Sequence, residues 1–135
     1  IQQQLNIFEG NPTTLEVCEQ FNLASINRGP LNMGLLTGKF TRDTEIPKDD
    51  VRSRRAAFQE DRGRRLAILD RIRDVLVQDG RSLAQGALGW LWARSQKTIP
   101  IPGFKTIAQV EENIGATHFG PLSGEQMKQI LELLE

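Results

Sequence analysis

The sequence predicts an α/β fold built on about three parallel strands with flanking helices. Three segments have the short length and apolar pattern of strands, and amphipathic helical runs lie between and after them. The resulting order of strand, helix, strand, helices, strand and helices is typical of a parallel sheet. A length of 135 residues with 39% hydrophobic content allows one domain with a moderate core.

The first two strands and the first helix are predicted from short patterns that end in turn-forming residues. Residues 2–8 alternate loosely and are compatible with a strand. Asn11 then suits a helix N-cap and Pro12 suits the first helical position, so a helix is expected to follow. Residues 23–27 form the second strand candidate, which a Gly-Pro pair ends.

A long polar segment follows the second strand candidate. Residues 32–61 are charged and only sparsely periodic, and a loop of this length within a compact domain is usually functional or mobile. A basic cluster begins in this segment, but acidic residues flank it, so a solvated face with ion pairs is favoured over a nucleic-acid site. Its members are Arg52, Arg54, Arg55, Arg62, Arg64 and Arg65.

Capping residues and helical periodicity mark the helices of the second half. Apolar residues at helical spacing over residues 66–76 predict a helix that stops near Gly80. Ser82 and Gln85 form the pattern of a capping box, which predicts the start of the next helix. The last helix is predicted to begin at Ser123.

The junction after the third strand has the features of a phosphate site. Residues 98–101 suit a strand, and Thr106 with Gln109 predicts a capping box for a helix that ends at Gly115. Lys105 lies beside the amide-rich, partly positive end of that helix, where a phosphate would be held. From these residues alone, a plain connector between strand and helix remains an open alternative.

Bulk composition excludes several function classes. Seventeen basic and seventeen acidic residues leave no net charge, so the chain as a whole has no attraction for nucleic acid or an anionic membrane. Apolar runs end well before the ~20 residues of a membrane span, and no signal peptide is visible.

The single cysteine, Cys18, excludes an internal disulfide, and the expected location is cytoplasmic. The single histidine, His118, has no partners at metal-ligand spacing, so no metal site is predicted.

Three separate blocks of the sequence resemble the aldo-keto reductase family. Residues 99–106, Ile-Pro-Ile-Pro-Gly-Phe-Lys-Thr, are similar to the NADPH-binding end of bacterial members. Residues 25–40 resemble the penultimate strand and its following loop, and residues 1–8 resemble the strand before it. The blocks occur in the family's order over nearly the whole chain.

This resemblance implies that residues 1–135 form the C-terminal half of a (β/α)8 TIM barrel, a fold that typically has ~250 residues. Family members transfer a hydride from NADPH to an aldehyde or ketone, with a Tyr, Lys, Asp and His set contributed by the first half of the barrel. This chain contains no Tyr, and His118 follows the phosphate-site helix and cannot be assigned to that set. No catalytic residue is therefore assigned, and the chain alone is expected to be inactive.

The resemblance also implies a set of cofactor-binding residues, because ligands of parallel barrels bind beyond the carboxyl ends of the strands. Gln2 matches a position whose amide binds the nicotinamide carboxamide, and Arg28 stands where many relatives carry a stacking aromatic residue. Lys105 matches the position that binds the 2′-phosphate. The full set is Gln2, Arg28, Gly29, Pro30, Leu31, Gly34, Lys39, Gly103, Phe104, Lys105, Thr106, Gln109, Glu112 and Asn113.

Other roles remain open for several of these residues. Arg28 suits a structural ion pair as well as a cofactor contact, and residues 29–39 suit an ordinary exposed glycine-rich loop. Glu112 and Asn113 either bond the adenine or are solvated helix positions. Gln109 stands where some relatives have Arg, which weakens the expected preference for NADPH over NADH.

Two functional hypotheses follow. In the first, the chain is part of an oxidoreductase that transfers a hydride from NADPH to a small carbonyl substrate. In the second, it is a stand-alone, non-catalytic half barrel that self-associates and binds nucleotide or a protein partner. Three parallel strands cannot close a barrel, so open strand edges and exposed apolar inner faces are expected. The expected partner is the N-terminal half of the barrel or another copy of the chain.

Overall fold

A three-stranded parallel sheet, covered by helices on one face, organises the fold. The computed structural model describes every residue from Ile1 to Glu135. The strands are β1 (Gln2–Gln4), β2 (Ser25–Arg28) and β3 (Thr98–Ile101), in the spatial order β1-β2-β3. All pairs are parallel, which confirms the predicted α/β class. The outer edges of β1 and β3 pair with no other strand.

Five α-helices flank the sheet. They are α1 (Pro12–Gln20), α2 (Arg62–Leu76), α3 (Leu83–Arg94), α4 (Ile107–Phe119) and α5 (Gly124–Leu134). The capping box of Ser82 and Gln85 is complete at α3, as predicted, and Asn11 caps α1. None of the helices combines the length and apolar character that crossing a bilayer requires.

The first strand is shorter than predicted, because the chain turns soon after Gln4. Asn6 Oδ1 accepts hydrogen bonds from the backbone N–H groups of Phe8 and Glu9 at 2.9 and 3.1 Å. Such a side-chain turn competes with the sheet ladder. The second strand begins at Ser25 rather than at residue 23.

Two predicted helix ends are also wrong. α4 continues past Gly115 to Phe119. Gly115 is a packing position within the helix, because a methyl group there would lie 2.9 Å from the Gln85 amide nitrogen. α2 ends before Gly80, with Val77 as its C-cap.

The long segment of residues 32–61 is only partly a loop. It contains short 3₁₀ segments at Asn32–Thr37, Val51–Arg54 and Ala56–Phe58. Its beginning and end are anchored, because Leu35, Leu36 and Phe58 are buried in the hydrophobic core. The mobility of the charged residues between these anchors remains a prediction.

The two faces of the sheet differ in what covers them. Ser25, Asn27 and Thr98 face the helices and are buried. The opposite face carries the alternate residues, and no helix covers it. Ile99 and Ile101 on that face are 50% and 47% exposed. The exposure of apolar residues on this face agrees with the expectation that three strands cannot close a barrel and leave its inner surface open. We call this surface the open face; it carries Gln2, Gln4, Ile26, Arg28, Ile99 and Ile101.

Candidate cofactor site

The carboxyl ends of the three parallel strands meet at one edge of the sheet, and most of the predicted site residues follow them. Arg28 ends β2 on the open face, and its Nη1 donates to Gln4 Oε1 at 2.6 Å. Arg28 forms no ion pair, so the structural ion pair considered for it is not present in the structure. Gln2 is exposed on the same face, two residues before the end of β1.

Glu9 connects the ends of β1 and β2. Its Oε2 accepts hydrogen bonds from the Gln4 side chain and, at 3.3 Å each, from Asn6 Nδ2 and Asn32 Nδ2. Its Oε1 accepts from Arg65 Nη2 of α2 at 2.9 Å. Burial raises the pKa of Glu9, but the hydrogen bonds from Arg65, Gln4 and Asn6 outweigh it and hold the pKa below its ordinary value of 4.5.

The predicted glycine-rich segment after β2 is folded tightly onto this network. Gly29 has a φ of +62°, and its carbonyl accepts from Asn6 Nδ2 at 2.9 Å. Pro30 and Leu31 are buried, whereas Lys39 is exposed. Gly34 has a φ of +96°, and a methyl group there would lie 3.3 Å from the Phe40 ring. The positive φ of Gly34 therefore favours glycine there, and the nearby ring leaves little room for a side chain.

The junction between β3 and α4 presents free hydrogen-bond donors beside an exposed cation. Thr106 caps α4, with its Oγ1 accepting from the Gln109 N–H at 3.2 Å. The capping box is incomplete, because Gln109 Oε1 accepts from the Lys105 N–H at 2.6 Å instead of the cap residue. The N–H groups of Ile107 and Ala108 bond to no protein acceptor.

The other predicted residues of this junction differ in exposure. Gly103, Phe104 and Lys105 are all exposed, with Phe104 at 64%. Glu112 and Asn113 are half-buried on α4. The Glu112 carbonyl accepts from Gln85 Nε2 at 3.0 Å, which ties this helix to α3.

An ion pair between Asp50 and Arg52 lies in the loop, and the charge of Lys105 influences the pKa of Asp50. The Arg52 side chain donates to Asp50 twice, from Nε at 2.9 Å and from Nη2 at 2.5 Å, and its backbone N–H donates once, at 2.9 Å. The side-chain and backbone N–H groups of Arg52 hold the pKa of Asp50 well below its usual range, and the charge of Lys105 acts in the same direction. The guanidinium of Arg52 lies 5.0 Å from the centroid of the Phe40 ring, the same ring that neighbours Gly34.

The structure thus gathers the predicted residues into three groups. One lies on the open face, one in the turn after β2, and one at the start of α4. The ion pair between Glu9 and Arg65 was not predicted, although it organises the first two groups. Arg65 was assigned to a solvated basic cluster, but it is only 8% exposed and lies against Glu9 and the Phe8 ring. No local pattern links these residues, which are 56 positions apart.

Comparison with known proteins places the whole chain in one family. The description "Aldo/keto reductase family" applies to a match over residues 1–135. The aldo-keto reductase yakc of Schizosaccharomyces pombe, whose name includes NADP(+), is 29% identical over 87% of this chain and 35% of its own length. The L-glyceraldehyde 3-phosphate reductase of Escherichia coli O157:H7 is 30% identical over 93% of this chain and 38% of its own.

Solved structures agree with this assignment. A glycerol dehydrogenase from Gluconobacter oxydans superposes with a TM-score of 0.85 and 33% identity, covering 99% of this chain and 41% of that protein. An aldo-keto reductase from Bacillus halodurans gives 0.65 at 23% identity and supports the fold alone. The chain spans about a third of the length of the curated relatives it matches. It belongs to the aldo/keto reductase family.

Proposed function

We propose that this chain supplies the NADP(H)-binding part of an oxidoreductase that reduces a small aldehyde or ketone. The start of α4 is the observation that carries the proposal. The exposed Lys105 side chain and the free N–H groups of Ile107 and Ala108 form a cationic, donor-rich surface directly after β3. A helix N-terminus with an adjacent lysine matches the charge and hydrogen-bonding needs of a phosphate.

The remaining predicted residues fit the same ligand. Arg28 and Gln2 offer a guanidinium and an amide on the open face, where a flat ring with a carboxamide can be held. The tight turn from Gly29 to Gly34 follows Arg28 directly, and the exposed Lys39 adds a positive charge to the same loop. Phe104 is exposed at the junction with α4, and Glu112 and Asn113 follow on that helix.

In this proposal the chain binds and orients the cofactor, which when bound supplies the hydride for carbonyl reduction. The chain contains no Tyr, and we assign none of its residues the role of proton donor. The predicted inactivity of the chain by itself follows from that assignment. Its own contribution is to hold the phosphates at α4 and the nicotinamide end beside Arg28.

Lys105→Gln is expected to lower the affinity for NADPH about tenfold and to leave the affinity for NADH nearly unchanged, because a charge-assisted contact to the 2′-phosphate is lost. Titrations monitored by the fluorescence of Trp90 and Trp92 measure both affinities. They are run with and without the N-terminal half of an aldo-keto reductase barrel. Lys128→Gln, an exposed α5 lysine paired only with Glu132, is the matched control. Equal losses for both cofactors would contradict the assignment of Lys105.

A second candidate function is favoured by the open face and the two unpaired strand edges. Under this alternative the chain is a non-catalytic half barrel that covers its apolar residues by self-association. Binding of NADPH by the chain alone supports this alternative. Binding that requires the N-terminal half supports the reductase.

The alternative also predicts concentration-dependent dimers. Sedimentation velocity of the chain should show a monomer–dimer equilibrium, and Ile101→Lys on the open face should shift it toward monomer by placing charge in the apolar contact. Glu132→Gln on the exposed surface of α5, which raises the net charge by the same single unit, is the control. A monomer at every concentration would rule out self-association.

A further inference from the structure

A cleft that is separate from the candidate cofactor site lies between the turn after β1 and helix α2. It has a volume of about 230 Å³. Three arginines of α2, Arg64, Arg65 and Arg71, line one part of it. The rest of the lining is apolar and includes Phe8, Ile68 and, from the end of α5, Leu134. The cleft therefore combines strong positive charge with an apolar wall.

Arg65 is the buried cation of this cleft, and its hydrogen-bonding capacity is not filled. It is 8% exposed, and only its Nη2 has acidic partners, Glu9 at 2.9 Å and Asp61 at 3.7 Å. Its Nε and Nη1 are buried and have no acceptor. An unpaired buried donor on a charged group is costly, so an anion that accepts from it gains more than it would at the surface. The ring of Phe8 lies 5.4 Å from the guanidinium and fixes its position.

The other two arginines are also short of partners. The exposed side chain of Arg71 takes part in no ion pair or hydrogen bond. Arg64 has a single ion pair, to Asp61 at 3.9 Å, and its side chain is 73% exposed. The lining itself contains three arginines and no acidic residue, and the nearby carboxylates of Glu9 and Asp61 pair only with Arg64 and Arg65. Glu135 lies next to Leu134 in sequence and is exposed.

We propose that this cleft binds a small amphipathic anion, namely a carboxylate carried by a short apolar chain. The carboxylate pairs with Arg71 and lies beside the Arg65 guanidinium, whose positive charge attracts it, while the apolar chain covers Phe8, Ile68 and Leu134. A phosphate dianion fits less well, because the apolar wall would strip water from its oxygens without offering donors in return. This site is separate from the one proposed for the cofactor, and Glu9 links the two through Gln4 and Asn32.

Titration with hexanoate, followed by two-dimensional NMR, tests the proposal. Saturable shifts are expected at residues 7, 8, 68 and 71. Acetate and 1-hexanol separate the two recognition elements, because each retains only one of them; both are expected to bind at least tenfold more weakly. Arg71→Gln should weaken hexanoate binding about tenfold, whereas Arg94→Gln, at the end of α3, should leave it unchanged.

Several outcomes would overturn the proposal. Absence of saturable binding would show that the cleft is not a ligand site. Equal binding of 1-hexanol, or an unaltered affinity in Arg71→Gln with the fold intact by circular dichroism, would show that the arginines do not select an anion. Inorganic phosphate that binds as tightly as hexanoate would exclude the amphipathic carboxylate class.

Discussion

Replacing Gly86 by alanine is expected to destabilise the chain by about 3 kcal/mol, at the upper end of the usual cost of overpacking. Gly86 lies on α3 where it crosses the end of α2. A methyl group at this position would meet the Leu76 carbonyl oxygen at 2.1 Å and its carbonyl carbon at 2.8 Å. Backbone cannot move aside as a flexible side chain can, so the two helices must separate. Leu76, Leu88 and Leu91 would then lose part of the packing that buries them completely or nearly so.

Urea unfolding of the Gly86→Ala chain measures this cost. Gly63→Ala is the matched control, because Gly63 lies in α2 and a methyl group there meets nothing within 4 Å. The control is expected to gain up to about 1 kcal/mol from improved helix propensity. Similar unfolding free energies for the two variants would show that α2 and α3 do not approach each other as closely as described.

Glu9→Gln is expected to destabilise the chain by about 2 kcal/mol at neutral pH, because it leaves the buried Arg65 with only the more distant Asp61. This expected loss of stability is smaller than for a fully buried ion pair, because the Glu9 side chain is 31% exposed. Asp70→Asn is the control: its ion pair with Arg73 is equally short, at 3.0 Å, but both side chains are exposed. An exposed pair contributes at most about 1 kcal/mol.

The loss of stability in Glu9→Gln is expected to depend on pH. The pKa of Glu9 is lowered in the folded state, so its ionised form stabilises the fold above the ordinary pKa of 4.5. This contribution is lost as the pH falls through the lowered pKa. The stability difference between the natural chain and Glu9→Gln should therefore be constant near neutrality and shrink over the pH range from the ordinary pKa of 4.5 down through the lowered pKa. A difference that is the same at both ends of this range would show that Glu9 is not held ionised by Arg65.

Local chemistry explains which parts of the fold could be predicted. Caps such as Asn11 and Ser82 act within three residues of their own position, so the sequence places those helix starts correctly. β3 was also placed correctly at residues 98–101. The end of β1 was placed incorrectly. The turn formed by the Asn6 side chain replaces the strand that the alternating pattern of residues 2–8 allows. Gly115 was read as a stop, although its small size serves contact with Gln85 on another helix.

The candidate cofactor site was predictable to a similar extent. The β3–α4 junction is continuous in sequence, so Lys105 and Thr106 could be proposed together before their geometry was known. The family assignment now rests on a match over the whole chain, whereas the cofactor roles of individual residues remain proposals. Arg65 could not be placed, because its partner Glu9 is distant in sequence and its burial depends on how α2 packs. The cleft lined by Arg65 could not be predicted from the sequence for the same reason.

The outer edge of β3 is selective about which strand can join it. Ser25 donates to the Lys97 carbonyl at 2.8 Å, so in the register of the sheet the backbone groups of Thr98 and Pro100 point outward. The Thr98 N–H already donates to Ser95, and proline has no N–H, which leaves this edge with carbonyl acceptors only. A copy of the same edge therefore cannot pair with it, so two chains are not expected to associate β3 against β3. A strand that carries its own outward donors, as β1 does at Gln2 and Gln4, is the kind of neighbour that this edge accepts.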